Sequence, residues 1–396
     1  MKNLDFRTAW REIGIILIVF TGILILVATR YPFPSPFDEL AQFSAVRSQF
    51  ENPDLFADTS RYRLVMKTDP AQWTTDTNYL NHPALYYLGL APLLQFGHDV
   101  MLTRFANVVL TVAAMIAVIA AGCRILRARL ERIVFALLVL SFPKTALVGG
   151  MVNNDNLALV AAAAVFAGLT GAPYAALLIA GGLALAGWTK LTALVALAFV
   201  VGAKLMIGGR PAILRPQTGL YAVAAVVGLL PFIVTFVETG HLFHINTTVF
   251  GLPPEARPVW TVAEYLQFFL AEIVEKWPAA ERSLPVTVGI FVVAMPLVLA
   301  MAGTVTDPKT RAVNLAYVIG TVATLCLHAA YGWYSFQSIG DMTIAQTRYY
   351  NVLWPGLALA ATVAITRTKY ARITVPVSII AYLTPTVIGG TFLALL

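Results

Sequence analysis

Apolar runs of about 15 to 20 residues recur along the whole chain, and this recurrence constrains the fold more than any motif. A chain patterned this way dissolves in lipid rather than as a string of soluble domains. Composition agrees: 59% of the residues are hydrophobic and 12% are charged, against about 25% charged in an ordinary soluble domain. The expected fold class is an all-α polytopic membrane protein, with residues 1–396 forming a single integral membrane domain. Neither a fixed-period repeat nor a low-complexity tract interrupts it. Cys123 and Cys326 lie in or at the edge of apolar runs, which argues against a disulfide framework and offers no metal cluster.

The net charge of +7 invites a nucleic-acid reading, but its distribution points elsewhere. Basic residues cluster at Lys2/Arg7/Arg11, Arg124/Arg127/Arg129/Arg132, Lys204/Arg210/Arg215, Lys309/Arg311 and Arg367/Lys369/Arg372. Each cluster falls between apolar runs, as the positive-inside rule requires of cytoplasmic loops. The first run, Ile13 to Ala28, follows a basic start and lacks a small-residue cleavage site, so it reads as an uncut first span.

Starting inside, spans are expected at about 12–30, 103–122, 132–150, 156–170, 173–189, 191–207, 219–237, 285–302, 312–330, 351–366 and 373–392, about eleven in all. Residues 31–102 form a first external region, with a polar loop over 31–83 and then the stretch ALYYLGLAPLLQF. That stretch is too short to cross a core of roughly 30 Å at about 1.5 Å per residue. It is therefore expected as a juxtamembrane helix on the external interface, its tyrosines in the aromatic belt. A second external loop covers 238–284. Most acidic groups fall outside, so the external face is where chemistry is expected.

Several features converge there. Asp38 and Glu39 stand side by side just after the first span, Asp155 sits in NNDN at a helix end, and Arg348–Tyr349 opens a late span. The order of DE, NHPALYYLGLAPLL, TRFANVVL, NNDN, TK and RY…P resembles the GT-C superfamily of membrane glycosyltransferases. The similarity is strongest to bacterial relatives of dolichyl-phosphate-mannose protein mannosyltransferases and to the lipid A aminoarabinose transferase. The matching positions are Asp38–Glu39, His82–Pro83, Arg104, Asp155, Thr189–Lys190 and Arg348–Tyr349. The chain departs where a second proline would stand, at Ala84, and shows no soluble domain after its last span, which leaves fewer places for a large protein acceptor.

The resemblance implies transfer of a sugar from a polyprenyl-phosphate carrier, such as undecaprenyl phosphate, to an acceptor hydroxyl with inversion. The acceptor would be a cell-envelope glycan or glycolipid, lipopolysaccharide among them, and the setting a bacterial inner membrane with the site facing the periplasm. Asp38 would be the general base, with Glu39 beside it orienting it or shaping the acceptor site. His82, Arg348 and Lys190 would hold the donor phosphate. Asp155, Tyr86, Tyr87 and Tyr349 would face sugar, acceptor or lipid, and Arg61 and Arg63 an anionic acceptor. A divalent cation (Mg2+ or Mn2+) is left open by the residues, with no metal ligands assigned.

Blander readings stand beside these. Asp38–Glu39 and Asp155 also suit helix caps, Lys144 and Lys190 also suit snorkelling to the interface, and Arg61 and Arg63 also suit solvated ion pairs. His241 and His244 suit an ordinary interfacial pair. Rival functions are a ligase or polymerase using a pyrophosphate-linked glycan, a lipid or solute transporter, and a non-catalytic assembly subunit.

Overall fold

The computed structural model describes residues 2–36, 38–57, 62–97, 100–142, 145–242, 251–275, 298–299, 301–302, 310–341, 346–368 and 371–376. Helices dominate. In chain order they are α1 (Lys2–Arg30), α2 (Glu39–Glu51), α3 (Leu85–Leu90), α4 (Val100–Ile125), α5 (Arg129–Leu140), α6 (Thr145–Gly149) and α7 (Asp155–Leu169). After these come α8 (Ala175–Gly187), α9 (Leu191–Ile207), α10 (Gly209–Ile213), α11 (Pro216–Thr239), α12 (Val262–Glu275), α13 (Arg311–Ile339) and α14 (Trp354–Thr366). The chain is a polytopic all-α membrane protein. The sheet among the described residues is one antiparallel hairpin, β1 (Arg63–Val65) with β2 (Trp73–Thr77), pairing Arg63 with Thr77 and Val65 with Trp73.

Among the described residues, four helices are long and apolar enough to cross a bilayer: Ala9–Arg30 within α1, then α4, α11 and α13. The segments expected as spans at 156–170, 173–189 and 191–207 form α7, α8 and α9, of 15, 13 and 17 residues. At about 1.5 Å per residue they reach roughly 20–26 Å, so their ends and turns lie inside the bundle's thickness. The span expected over 132–150 is broken. α5 stops at Leu140, residues Ser141 and Phe142 are not helical, and α6 restarts at Thr145. Pro143 follows, and a proline pushes its predecessor out of the α region. Expected spans 285–302 and 373–392 fall almost wholly outside the described residues.

Short side chains set the close helix crossings, as they do in membrane bundles. A Cβ on Gly187 would collide with the Gly228 backbone, so α8 and α11 meet backbone to backbone there. Trp188 then donates to the Val227 carbonyl at 2.9 Å. These contacts fix the turn between α8 and α9, and Lys190 sits on that turn.

The region over 31–102, expected to be external, folds over its described residues as a small cap. Phe43, Val46, Val65, Leu80, Tyr87 and Leu94 share one apolar cluster. Ser44 Oγ accepts the Val65 N–H at 2.9 Å, and Asn78 Nδ2 donates to the Ala41 carbonyl at 2.8 Å. The stretch expected along the interface is indeed short, α3 followed by a 3-10 turn over Ala91–Phe96. Its tyrosines are not at an aqueous or lipid boundary. Tyr86 and Tyr87 are 2% and 0% exposed, because α3 is packed against α2 and hydrogen-bonded to α4 instead of lying free on the surface.

Within the segment 238–284, expected as a second external loop, α12 turns Tyr265, Phe269 and Ile273 inward on one face. They stack on α13, where Tyr265 meets Trp333 and Phe336, and Phe269 meets His328 edge-on.

Candidate active site

α1 and α8 end, and α4, α7, α9 and α14 begin, at one end of the bundle, where the groups singled out in the sequence meet. Asp38 precedes α2 with φ 61° and ψ 14°, a left-handed conformation. That costs a non-glycine residue roughly 1–2 kcal/mol, and its side chain makes no capping bond. Its carboxylate is engaged elsewhere. Oδ1 accepts from the Tyr79 hydroxyl at 3.0 Å, and Oδ2 pairs with the Arg348 guanidinium. Burial pushes the Asp38 pKa up, but Arg348 and the hydrogen bonds from Arg348 and Tyr79 outweigh it, and Asp38 lies below its ordinary value.

Asp155, at the start of α7, gives Oδ1 to Lys190 Nζ at 2.6 Å. Its Oδ2 is buried, accepts no hydrogen bond, and lies 3.6 Å from Arg348 Nε. The turn before α7 is held by a neighbour, since Asn153 Oδ1 accepts the Asp155 N–H at 2.9 Å. The remaining asparagines brace this turn. Asn154 receives a bond from Gln42 Nε2 at 3.3 Å and donates to the Thr189 carbonyl at 3.2 Å. Asn156 donates to Asn107 Oδ1 at 2.8 Å and accepts from Thr111 at 3.0 Å. The NNDN run is thus a buried polar network tying α2, α4, α7 and the Lys190 turn together.

Two acids and two bases therefore alternate as Asp38, Arg348, Asp155 and Lys190. Tyr349 lies against both cations, with Lys190 Nζ 4.2 Å and Arg348 Cζ 5.7 Å from its ring centroid. A cavity of about 360 Å³ opens beside them. Asp38, Tyr79, His82, Lys190 and Tyr349 line its charged side, Leu191, Val195, Phe232 and Leu327 its apolar wall, and His328, Tyr331, Asp341 and Tyr350 a further polar side. Burial, with Lys190 and Arg348 nearby, pushes the His82 pKa down to about 3, so its imidazole is neutral at ordinary pH.

Other expected site residues lie elsewhere. Glu39 does not line the cavity. It is fully buried and paired bidentately with Arg104 of α4, both bonds 2.7 Å. Arg104 also donates to the Ala28, Tyr31 and Pro32 carbonyls, while Glu39 accepts the Ser35 and Val152 N–H groups. This clamp fixes the exit of α1, the start of α2 and the turn before α7, and so sets the height of Asp38. Tyr86 and Tyr87 are also away from the cavity lining, their hydroxyls donating to Asn107 and Gln42 at 2.8 Å each. Burial takes them inside the cap because their hydroxyls find partners there. Arg63 is exposed on the hairpin, and Arg61, Lys144 and His244 lie outside the described residues. Tyr79, His328, Tyr350 and Asp341 were not singled out from sequence. Of these only His328, an ionisable group within an apolar run, carries a sequence signal.

The donor set is balanced by side chains alone. Among the described residues, no three of His, Cys, Asp and Glu gather as metal ligands, and each carboxylate of the quartet already faces a cation.

No protein-family model and no curated protein sequence matches the chain. A solved structure does: ArnT from Cupriavidus metallidurans in the apo state, with a TM-score of 0.56 and 15% identity. The match covers 92% of this chain and 61% of that one. ArnT is a lipid A aminoarabinose transferase of the GT-C class. The chain shares its fold with that structure. The chain spans less than two thirds of ArnT's length.

Proposed function

We propose that this protein is an inverting glycosyltransferase that moves a sugar from a polyprenyl-phosphate donor to the hydroxyl of a cell-envelope glycan or glycolipid. The observation that carries the reading is the convergence of Asp38, Arg348, Asp155 and Lys190 beside a cavity with an apolar wall. A lipid-linked phosphosugar has matching parts: an apolar tail, an anion and a polar ring.

In this reading the acceptor O–H attacks the anomeric carbon from the face opposite the phosphate. The new C–O bond forms as the bond from that carbon to the phosphate oxygen breaks, and the acceptor proton passes to Asp38. Polyprenyl phosphate leaves with the electron pair, its charge held by Lys190 and Arg348. As found, the quartet is neutral, so an arriving phosphodiester must draw the two cations partly from their carboxylates. Moving Arg348 toward the phosphate strips Asp38 of its strongest partner and raises its basicity as the donor settles. His82, being neutral, contributes an N–H hydrogen bond and not a charge. Glu39 acts through Arg104 and Asp38 as a positioning residue. With both cations supplied by side chains, the reading needs no divalent ion. The site would face the periplasmic side of a bacterial inner membrane.

The test is transfer by purified protein in lipid, with a radiolabelled polyprenyl-phosphate sugar and an envelope glycolipid fraction. Label on the acceptor supports the reading. Label moving only from a pyrophosphate-linked glycan replaces it with a ligase, and no transfer from either donor reopens the transporter.

A further inference from the structure

The cavity has a polar side that the transfer step above leaves unused. His328 projects from α13, within the run TLCLHAAYGWY, and its Nδ1 stands 2.7 Å from the Tyr350 hydroxyl. Phe269 of α12 meets the imidazole edge-on with centroids 5.2 Å apart, and Tyr349 lies 5.7 Å away. The ring is therefore held in place by aromatic neighbours. An ionisable group inside an apolar segment is costly and is retained for function by default, and the transfer step above gives His328 no role.

Tyr349 links the two sides. Lys190 Nζ is 4.2 Å from its ring centroid, and the His328 centroid is 5.7 Å from it. A group attached to a phosphate held at Lys190 therefore meets Tyr349 first and the His328–Tyr350 pair next. A pyranose suits that path, because its C–H face packs on an aromatic ring while its hydroxyls seek hydrogen-bonding edges. Charge narrows the sugar further. Asp38 is balanced by Arg348, but Asp341 also lines the cavity, and a further carboxylate there disfavours a sugar that is itself anionic.

We propose that Tyr349, His328 and Tyr350 form the subsite that recognises the donor's sugar ring, and that it takes a neutral or amino-substituted pyranose in preference to a uronic acid. The inference rests on the transferase reading above. His328 and Tyr350 read ring hydroxyls and Tyr349 packs against the ring face, so the subsite sets donor specificity and leaves phosphate capture to Lys190 and Arg348.

Binding to the full chain in nanodiscs tests it, with bare polyprenyl phosphate and the same lipid carrying neutral hexosyl, amino-sugar and uronosyl groups. Wild type is expected to bind at least one neutral or amino-sugar lipid more tightly than bare polyprenyl phosphate, and the uronosyl lipid no more tightly. Tyr350→Phe keeps the ring volume and His328→Phe keeps an aromatic ring, and each should remove roughly tenfold of that sugar increment. Affinity for bare polyprenyl phosphate should stay at the wild-type level. Variants that weaken bare and sugar-bearing lipids equally, variants without effect, or a tightest fit to the uronosyl lipid would each overturn the subsite. A wild type that binds bare and sugar-linked lipids alike would overturn it while sparing phosphate capture. A wild type that binds none of the phospholipids would bring down the transferase reading with it.

Discussion

The Asp38 carboxylate is held by the Arg348 guanidinium, 310 residues further along the chain. The contact joins the start of α2 to the 3-10 turn over Thr347–Leu353 that leads into α14, so segments far apart in sequence meet at the cavity. Asp38→Asn keeps the shape and the Tyr79 contact but removes the charge. We expect transfer to fall by about 10²–10⁴-fold, the usual worth of a positioned base, with the protein still folded. The purified assay described above measures it, and a variant with wild-type turnover would remove Asp38 from the mechanism.

Arg348 serves two carboxylates at once, Asp38 and, at 3.6 Å, Asp155. Only a planar fork spans both; a lysine ammonium is a point charge on a flexible stem. Arg348→Lys should therefore behave as a severe change. The expected outcome is a kcat/KM loss of about 10-fold or more, equivalent to one charge-assisted hydrogen bond of about 1.5–3 kcal/mol. Steady-state kinetics of the pair of enzymes decide it. A variant matching wild type would show that one positive charge, without the fork, suffices.

Glu39 and Arg104 should give a different signature from Asp38. Their pair is fully buried, and breaking such a pair from one side typically costs about 3–5 kcal/mol because the other charge is left stranded. Glu39→Gln or Arg104→Met is expected to lower thermal stability in detergent more than Asp38→Asn, because Asp38 is partly exposed and Asp155 still faces Arg348 after that change. The measurement is a melting curve for each. Equal melting temperatures for Glu39→Gln and wild type would mean that the clamp does not hold the cap.

How much of this was legible in the sequence varies with the kind of signal. Long apolar runs specify helices whatever their neighbours, so α1, α4, α11 and α13 were readable directly. Proline at 143 already marked the break in the span expected over 132–150. The quartet was reachable only through its resemblance to a family, because no local spacing relates Asp38 to Arg348 or Asp155 to Lys190. Adjacent residues also diverged in a way that no pattern encodes. The left-handed backbone at Asp38 sends its carboxylate to the cavity while Glu39 turns inward to Arg104. Tyr86 and Tyr87 looked interfacial by residue type, and tertiary packing against Gln42 and Asn107 took them inside. His328 had no partner in sequence, since Tyr350 reaches it only through the packing of the 3-10 turn on α13.

His82 supplies the pH prediction. Its folded pKa is pushed down to about 3, by burial first and then by Lys190 and Arg348, from an ordinary 6.5. Below pH 6.5 the unfolded chain binds a proton at this position that the folded chain refuses, so unfolding is favoured progressively as pH falls toward 3. Above 6.5 both states are neutral here and the contribution is flat. Asp38 acts in a lower window: its folded pKa lies below the ordinary 3.8, so its pairing with Arg348 persists as pH falls through the His82 range. His82→Asn should therefore flatten the loss of stability between neutral and mildly acidic pH, while Asp38→Asn should leave that slope as in wild type. Denaturant or thermal unfolding across this range, for all three proteins, separates the two groups. A wild-type slope retained by His82→Asn would show that the imidazole is already charged in the folded protein, and would return His82 to the set of cations that the donor phosphate meets.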